Sequence, residues 1–156
     1  AGTVEIVAAP VAPAGEIATI GPGEARAFFG DPPLVALDFV DIVDRGQSVD
    51  LALRWRALAP ITDSYKLFVH VVSPGERIAA QRDEYPAGGA RLTTGWRVNE
   101  TIAESITVQL PALPEGAVLY VGLYDPASGE RLVPTPLISD WAASEGRLRV
   151  ALLPAR

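Results

Sequence analysis

The chain has 156 residues, 49% of them hydrophobic, with 13 cationic against 19 acidic side chains and a formal net charge of −6. That length suits one domain able to bury roughly two thirds of its unfolded surface, and the apolar content is too high for a disordered chain. The acidic balance, with no basic stripe to neutralise phosphates, argues against nucleic-acid binding, and no apolar run approaches the ~20 residues of a membrane helix.

Cysteine is absent, which excludes disulfides, thiolate metal sites and cysteine nucleophiles and leaves the redox compartment open. Methionine is absent as well, so Ala1 is expected to be a processed terminus or a boundary imposed on a longer chain. Its Ala-Gly start is compatible with signal-peptidase cleavage. A chain without either sulfur residue resists oxidation, which suits an exposed surface.

In chain order, Thr3 to Val7 alternates polar and apolar residues and reads as a short strand. Ala8 to Gly23 is rich in Pro, Ala and Gly; it cannot nucleate a helix and reads as a stiff, extended arm. We therefore divide the chain into an N-terminal arm, 1–23, and a compact domain, 24–156. Strands are expected at Arg26 to Phe29, Leu34 to Val43 and Val49 to Arg56, the last two joined by the turn Asp44-Arg45-Gly46-Gln47. Tyr65 to Val72 and Arg77 to Arg82 flank Ser73-Pro74-Gly75-Glu76, a second hairpin signal. Gln81 to Pro86 then leads into a glycine-rich loop that ends at Thr94-Gly95-Trp96. Thr101 to Leu110 follows, then Ala117 to Tyr124 and Arg131 to Val133 around an Asp125 to Gly129 turn, and finally Arg147 to Leu153. Asp140 to Glu145 is the one place for a helical turn. Nine or ten short strands at this spacing imply an all-β, two-sheet antiparallel sandwich of immunoglobulin-like or jelly-roll topology.

Alternation assigns the core. Val49, Leu51, Leu53 and Trp55 share one strand face, with Asp50 and Arg54 on the other. In the next strand Lys66 marks the outer face, so Tyr65, Leu67, Val69 and Val71 point inward and Phe68, His70 and Val72 outward.

No catalytic or metal-binding set emerges. His70 is the only histidine; a metal would need partners of the same kind, and nucleophilic triads are closed off with them. We expect a satisfied histidine on a sheet face. Asp38, Asp41 and Asp44 recur every three residues; on a regular strand Asp41 faces away from the other two, so solvated edge charges are expected rather than a calcium site. Asp83 and Glu84 are adjacent and point oppositely, which does not suit paired-carboxylate glycoside hydrolysis. Asp125 reads as a turn residue. The expectation is a protein that is not an enzyme and needs no cofactor.

Tyr85 and Trp96 flank a loop with Asp83 and Arg97 nearby, and Trp141 lies in or beside another. Aromatic faces pack on pyranose rings while polar neighbours bond the hydroxyls. Tyr85, Trp96, Asp83 and Arg97 are thus candidate glycan contacts; the other reading is that Tyr85 and Trp96 pin their loop to the sandwich. Asn99 opens Asn99-Glu100-Thr101, a glycosylation sequon, or serves as a residue that tolerates positive φ.

The series Leu53-Arg54-Trp55, Phe68-Val69-His70, Gln81 with Asp83 and Pro86, Thr94-Gly95-Trp96, Gly122-Leu123-Tyr124-Asp125 and Glu130-Arg131-Leu132 resembles a β-sandwich module of Chloroflexota-type envelope proteins. That module often sits C-terminally in membrane glycosyltransferase-like proteins. The resemblance spans Phe28 to Val150. Where that module carries Trp-x-x-Gly-Glu, this chain has Trp96-Arg97-Val98-Asn99-Glu100. The resemblance implies a non-catalytic, extracytoplasmic accessory domain; it carries over no functional residue.

Two functions remain open. One is an extracellular structural module in which Thr3, Val4, Glu5, Ile6 and Val7 form a strand. That strand either pairs with its own sheet or is donated to a neighbouring subunit or envelope protein, as in a pilus-like surface filament. The other is a carbohydrate-binding accessory module.

Overall fold

Period-two alternation with a turn every eight to twelve residues leaves each strand one apolar face to bury, and two sheets face to face are the simplest way to bury them. A computed structural model has this arrangement; it describes the backbone of Thr3–Glu5 and residues 25–156. The strands are β1 (Thr3–Glu5), β2 (Ala27–Phe29), β3 (Val35–Asp44), β4 (Ser48–Ala57), β5 (Lys66–Ser73), β6 (Arg77–Glu84), β7 (Thr101–Gln109), β8 (Ala117–Tyr124), β9 (Pro134–Pro136), β10 (Ala142–Ser144) and β11 (Arg147–Leu153).

One sheet runs β7-β4-β3-β2-β9, with β1 added on β3; the other runs β10-β11-β8-β5-β6. All pairings are antiparallel. The chain changes sheet after β4, β6, β7, β8 and β9. The two antiparallel sheets pack face to face as the β-sandwich expected from the sequence.

The core holds the inward residues expected from alternation: Val49, Leu51, Leu53 and Trp55 from β4, and Leu67, Val69 and Val71 from β5 after Tyr65. Leu119, Val121 and Leu123 of β8 lie beside those of β5 in the same sheet, and Phe29 meets Trp55 edge to face at 5.5 Å.

β3 departs from simple alternation. Leu37 pairs with Trp55 but Phe39 with Arg54, so Asp38 is an inserted bulge residue. The insertion shifts the inward set from Val35 and Leu37 to Val40 and Ile42. It also overturns the expectation of solvated edge aspartates. Asp38 accepts two hydrogen bonds from Arg56, at 2.8 and 3.2 Å, with both side chains buried. Asp44 instead holds Arg156 at 2.6 Å and caps its own turn through the Gly46 amide at 2.9 Å.

Two further expectations change. The Asp140 to Glu145 segment forms no helical turn: Ala142–Ser144 pairs with β11 across a tight turn at Glu145 and Gly146, because cross-strand bonding outweighs the weak helical preference of two alanines. The strand expected at Arg131 to Val133 is a single bridge from Arg131 to Tyr124, and the strand proper is Pro134–Pro136 at the sheet edge, where proline is tolerated.

Candidate functional site

The outward residues of β5, β6 and β8 make a chemically mixed surface. Register brings them together. Phe68 lies between Asp83 on β6 and Gly122 on β8, and His70 lies between Gln81 and Tyr120. Cross-strand neighbours on one face stand about 5 Å apart, close enough for their side chains to touch. Gly122 is the key to the packing. A Cβ there would fall 2.2 Å from Cζ of Phe68, so the Phe68 ring fills the space that a side chain would need.

The rings of His70 and Tyr124 lie 4.7 and 6.0 Å from that of Phe68. The Tyr124 hydroxyl donates to Asp83 Oδ2 at 3.0 Å. Above Phe68 sits the Arg131 guanidinium, 4.9 Å from the ring centroid. Local turn chemistry puts it there. Asp125 Oδ1 accepts the Ala127 amide at 2.9 Å and the Gly129 amide closes on the Asp125 carbonyl at 2.7 Å, so the chain returns with Arg131 beside Tyr124. Arg131 Nη1 then donates to the Glu145 carbonyl at 2.8 Å.

The result is a surface depression of about 350 Å³ with an aromatic floor, rimmed by Ile78 and Gly129. Gln81, Asp83, Arg131 and His70 line it. His70 is only 6% exposed, and its Nδ1 has no hydrogen-bond partner among the described residues. Burial lowers its pKa, opposed by the Asp83 carboxylate and reinforced by the Arg131 and Arg147 charges, so the ring is neutral at pH 7. Neither Asp83 nor Arg131 has an ion-pair partner among the described residues. The groove therefore offers a carboxylate, a carboxamide, a guanidinium and a neutral imidazole over apolar rings, which suits hydrogen bonding to a small polar ligand.

Of the glycan contacts expected from sequence, only Asp83 lies here. Of the two readings of Trp96, the structure has the one in which it pins its loop: it is 5% exposed and belongs to the core, and its indole N–H donates to the Arg91 carbonyl at 2.8 Å, so it has no free face for a sugar. Tyr85 is half-buried under the Lys66 ammonium, 5.0 Å from its ring centroid. Arg97 is exposed, and its backbone amide bonds Glu100 Oε1 at 2.9 Å. Trp141 is buried in the core.

Asn99 is exposed with φ +69°, a left-handed conformation that asparagine tolerates better than most residues. Thr3, Val4 and Glu5 pair with Val43, Ile42 and Asp41 of the same chain; Ile6 and Val7 lie outside the described residues. Among the described residues no group of three or more histidine, aspartate or glutamate side chains could hold a metal ion.

Sequence reasoning placed Phe68 and His70 on an outer face but did not join them to Gln81, Tyr124 and Arg131. The signal was present in the register: Gly122 opposite an outward phenylalanine marks a ring lying across a strand. Comparison with protein-family models, with curated proteins and with solved structures gives no match.

Proposed function

We propose that this protein is a non-enzymatic carbohydrate-binding module of the bacterial cell surface, which takes a sugar into the groove over β5, β6 and β8. The observation that carries this reading is the convergence of Asp83, Gln81 and Arg131 with a nearly buried, partly unbonded His70 over an aromatic floor. Sugars present alternating hydroxyls and C–H faces, and sites that hold them combine planar apolar groups with a few fixed donors and acceptors. The envelope location is supported by the sequence resemblance and by the lack of oxidisable sulfur residues.

The test is a glycan array followed by calorimetry. Asp83→Ala and Arg131→Ala each remove a charged hydrogen-bonding group and should weaken binding at least about tenfold, the usual value of one such bond. Arg97→Ala serves as a surface control and should bind as the parent does. Equal affinities in all four proteins would exclude the groove as the site.

A second reading keeps the N-terminal strand as an assembly element of a homo-oligomeric or filamentous surface structure. One observation favours it. β2 covers only Val35–Leu37 of the β3 edge, and β1 occupies Asp41–Val43 on that same edge. A neighbour's strand would find the same backbone donors and acceptors there. Light scattering of the full chain against a chain starting at Glu24 decides it: oligomers only with the arm support donation, and monomers in both cases exclude it.

A further inference from the structure

The groove over β5, β6 and β8 is lined by a guanidinium that is fixed in place with one donor edge unused. Arg131 is held at three points. Its stem lies against Gly146, where a Cβ would fall 2.8 Å from the Cβ of Arg131. Its head stands over the Phe68 ring at 4.9 Å, and its Nη1 donates to the Glu145 carbonyl at 2.8 Å. The turn between β10 and β11 thus supplies both the gap and the carbonyl. A donor fixed before its ligand arrives loses little freedom on binding.

With Nη1 engaged, Nε and Nη2 have no acceptor among the described residues. These two N–H groups are parallel and match the two oxygens of a carboxylate. The chain uses the same edge on itself, where Arg56 grips Asp38 through Nε and Nη2. Arg147, the other cation acting on His70, already has Glu76 at 3.1 Å and Glu145 at 3.7 Å. Asp83 borders Phe68 as Arg131 does, yet the two form no ion pair. Each is anchored to a neutral group instead, Asp83 to the Tyr124 hydroxyl and Arg131 to the Glu145 carbonyl. A carboxylate only accepts hydrogen bonds, so Asp83 takes hydroxyls and repels an acid. A sugar that carries both kinds of group is thereby oriented one way.

We propose that the groove is specific for a hexuronic acid, whose carboxylate docks on the Nε and Nη2 edge of Arg131 while its hydroxyls reach Asp83 and Gln81. The sugar rests on the carbohydrate reading; the acid rests on Arg131. A depression of about 350 Å³ is at the small end for ligand sites and suits one or two sugar units.

Calorimetry on the full chain tests this with di- and trisaccharides of galacturonic, glucuronic and mannuronic acid. The controls are the same oligomers with each carboxyl reduced to an alcohol, and the reduced oligomers sulfated at that alcohol. At least one acid should bind about tenfold tighter than its reduced form, the usual value of a charge-assisted bond, and added salt should narrow the gap. This comparison needs no variant, so it holds even if a substitution disturbs the turn. Arg131→Gln should abolish the preference, and Arg131→Lys, which keeps the charge without the fork, should keep only part of it. Asp83→Asn should widen it, because Asp83 is the one acidic side chain lining the groove. Equal binding of acids and reduced forms, or a preference that survives Arg131→Gln, overturns the inference and leaves the carbohydrate reading standing. Binding of the sulfated forms alone overturns the choice of a carboxylate. Failure of every sugar to bind overturns both.

Discussion

At the scale of one residue, Gly122 has the most at stake. A methyl group there meets the Phe68 ring, itself held by the rings of His70 and Tyr124 and by the Arg131 guanidinium. Gly122→Ala should cost about 1–3 kcal/mol, as overpacking generally does, and should remove the groove floor; urea denaturation and ligand titration read the two effects separately. Glu104, buried on the inward face of β7, makes a prediction with a definite sign. Its carboxyl is raised from 4.5 to about 7 by burial in the folded state. The native state therefore binds the proton more tightly than the unfolded chain does. The contribution is fully present below pH 4.5 and is lost as pH rises through about 7. The gap is equivalent to about 3 kcal/mol. Denaturant midpoints for the parent should fall between pH 5 and 8.5, and Glu104→Gln should flatten that slope and be the more stable protein at pH 8.5.

At the scale of elements, the strands were legible because each carries an alternating apolar face and ends at Gly, Pro or Asp. The bulge was not. Asp38 sits in the run Leu37-Asp38-Phe39-Val40, where two registers bury similar hydrophobic surface, and only the Arg56 partner on β4 selects one. That buried pair predicts a large effect: Asp38→Ala strands a guanidinium that is 3% exposed and should cost about 3–5 kcal/mol, read as a shift in the denaturation midpoint. The groove was half legible for a related reason. Alternation turns Phe68 and His70 outward, but which residues of β6 and β8 stand beside them depends on register, which local sequence does not state. Trp96 was open to two readings because a loop tryptophan looks the same in sequence whether its ring turns inward or outward. Thr93 marks the difference in the structure: its hydroxyl accepts the Tyr65 amide at 3.0 Å and donates to the Asp63 carbonyl at 2.5 Å, folding the loop back onto the sandwich.

At the scale of the whole molecule, the strand order leaves β6 as the outer strand of one sheet, directly across from β7 of the other. Exposed edges invite pairing with other chains, and this one is blunted by the bulge between Val71 and Val72, by charged residues, and by Arg82 reaching across to Thr107. The same strand separates two chemistries. Gln81 and Asp83 face the groove, and Arg82 and Glu84 face Glu104. Coupling between two sites is reciprocal by thermodynamic necessity. If a protonated Glu104 favours the position of β6 that a sugar grips, the sugar must tighten the hold of Glu104 on its proton by the same factor. Binding at pH 7 should then draw protons from solution, and the heat of binding should vary with the ionisation enthalpy of the buffer. Calorimetry in phosphate and in Tris would give different heats in the parent and equal heats in Glu104→Gln. An edge strand whose charges keep other chains away would then also let the groove respond to the acidity of its surroundings.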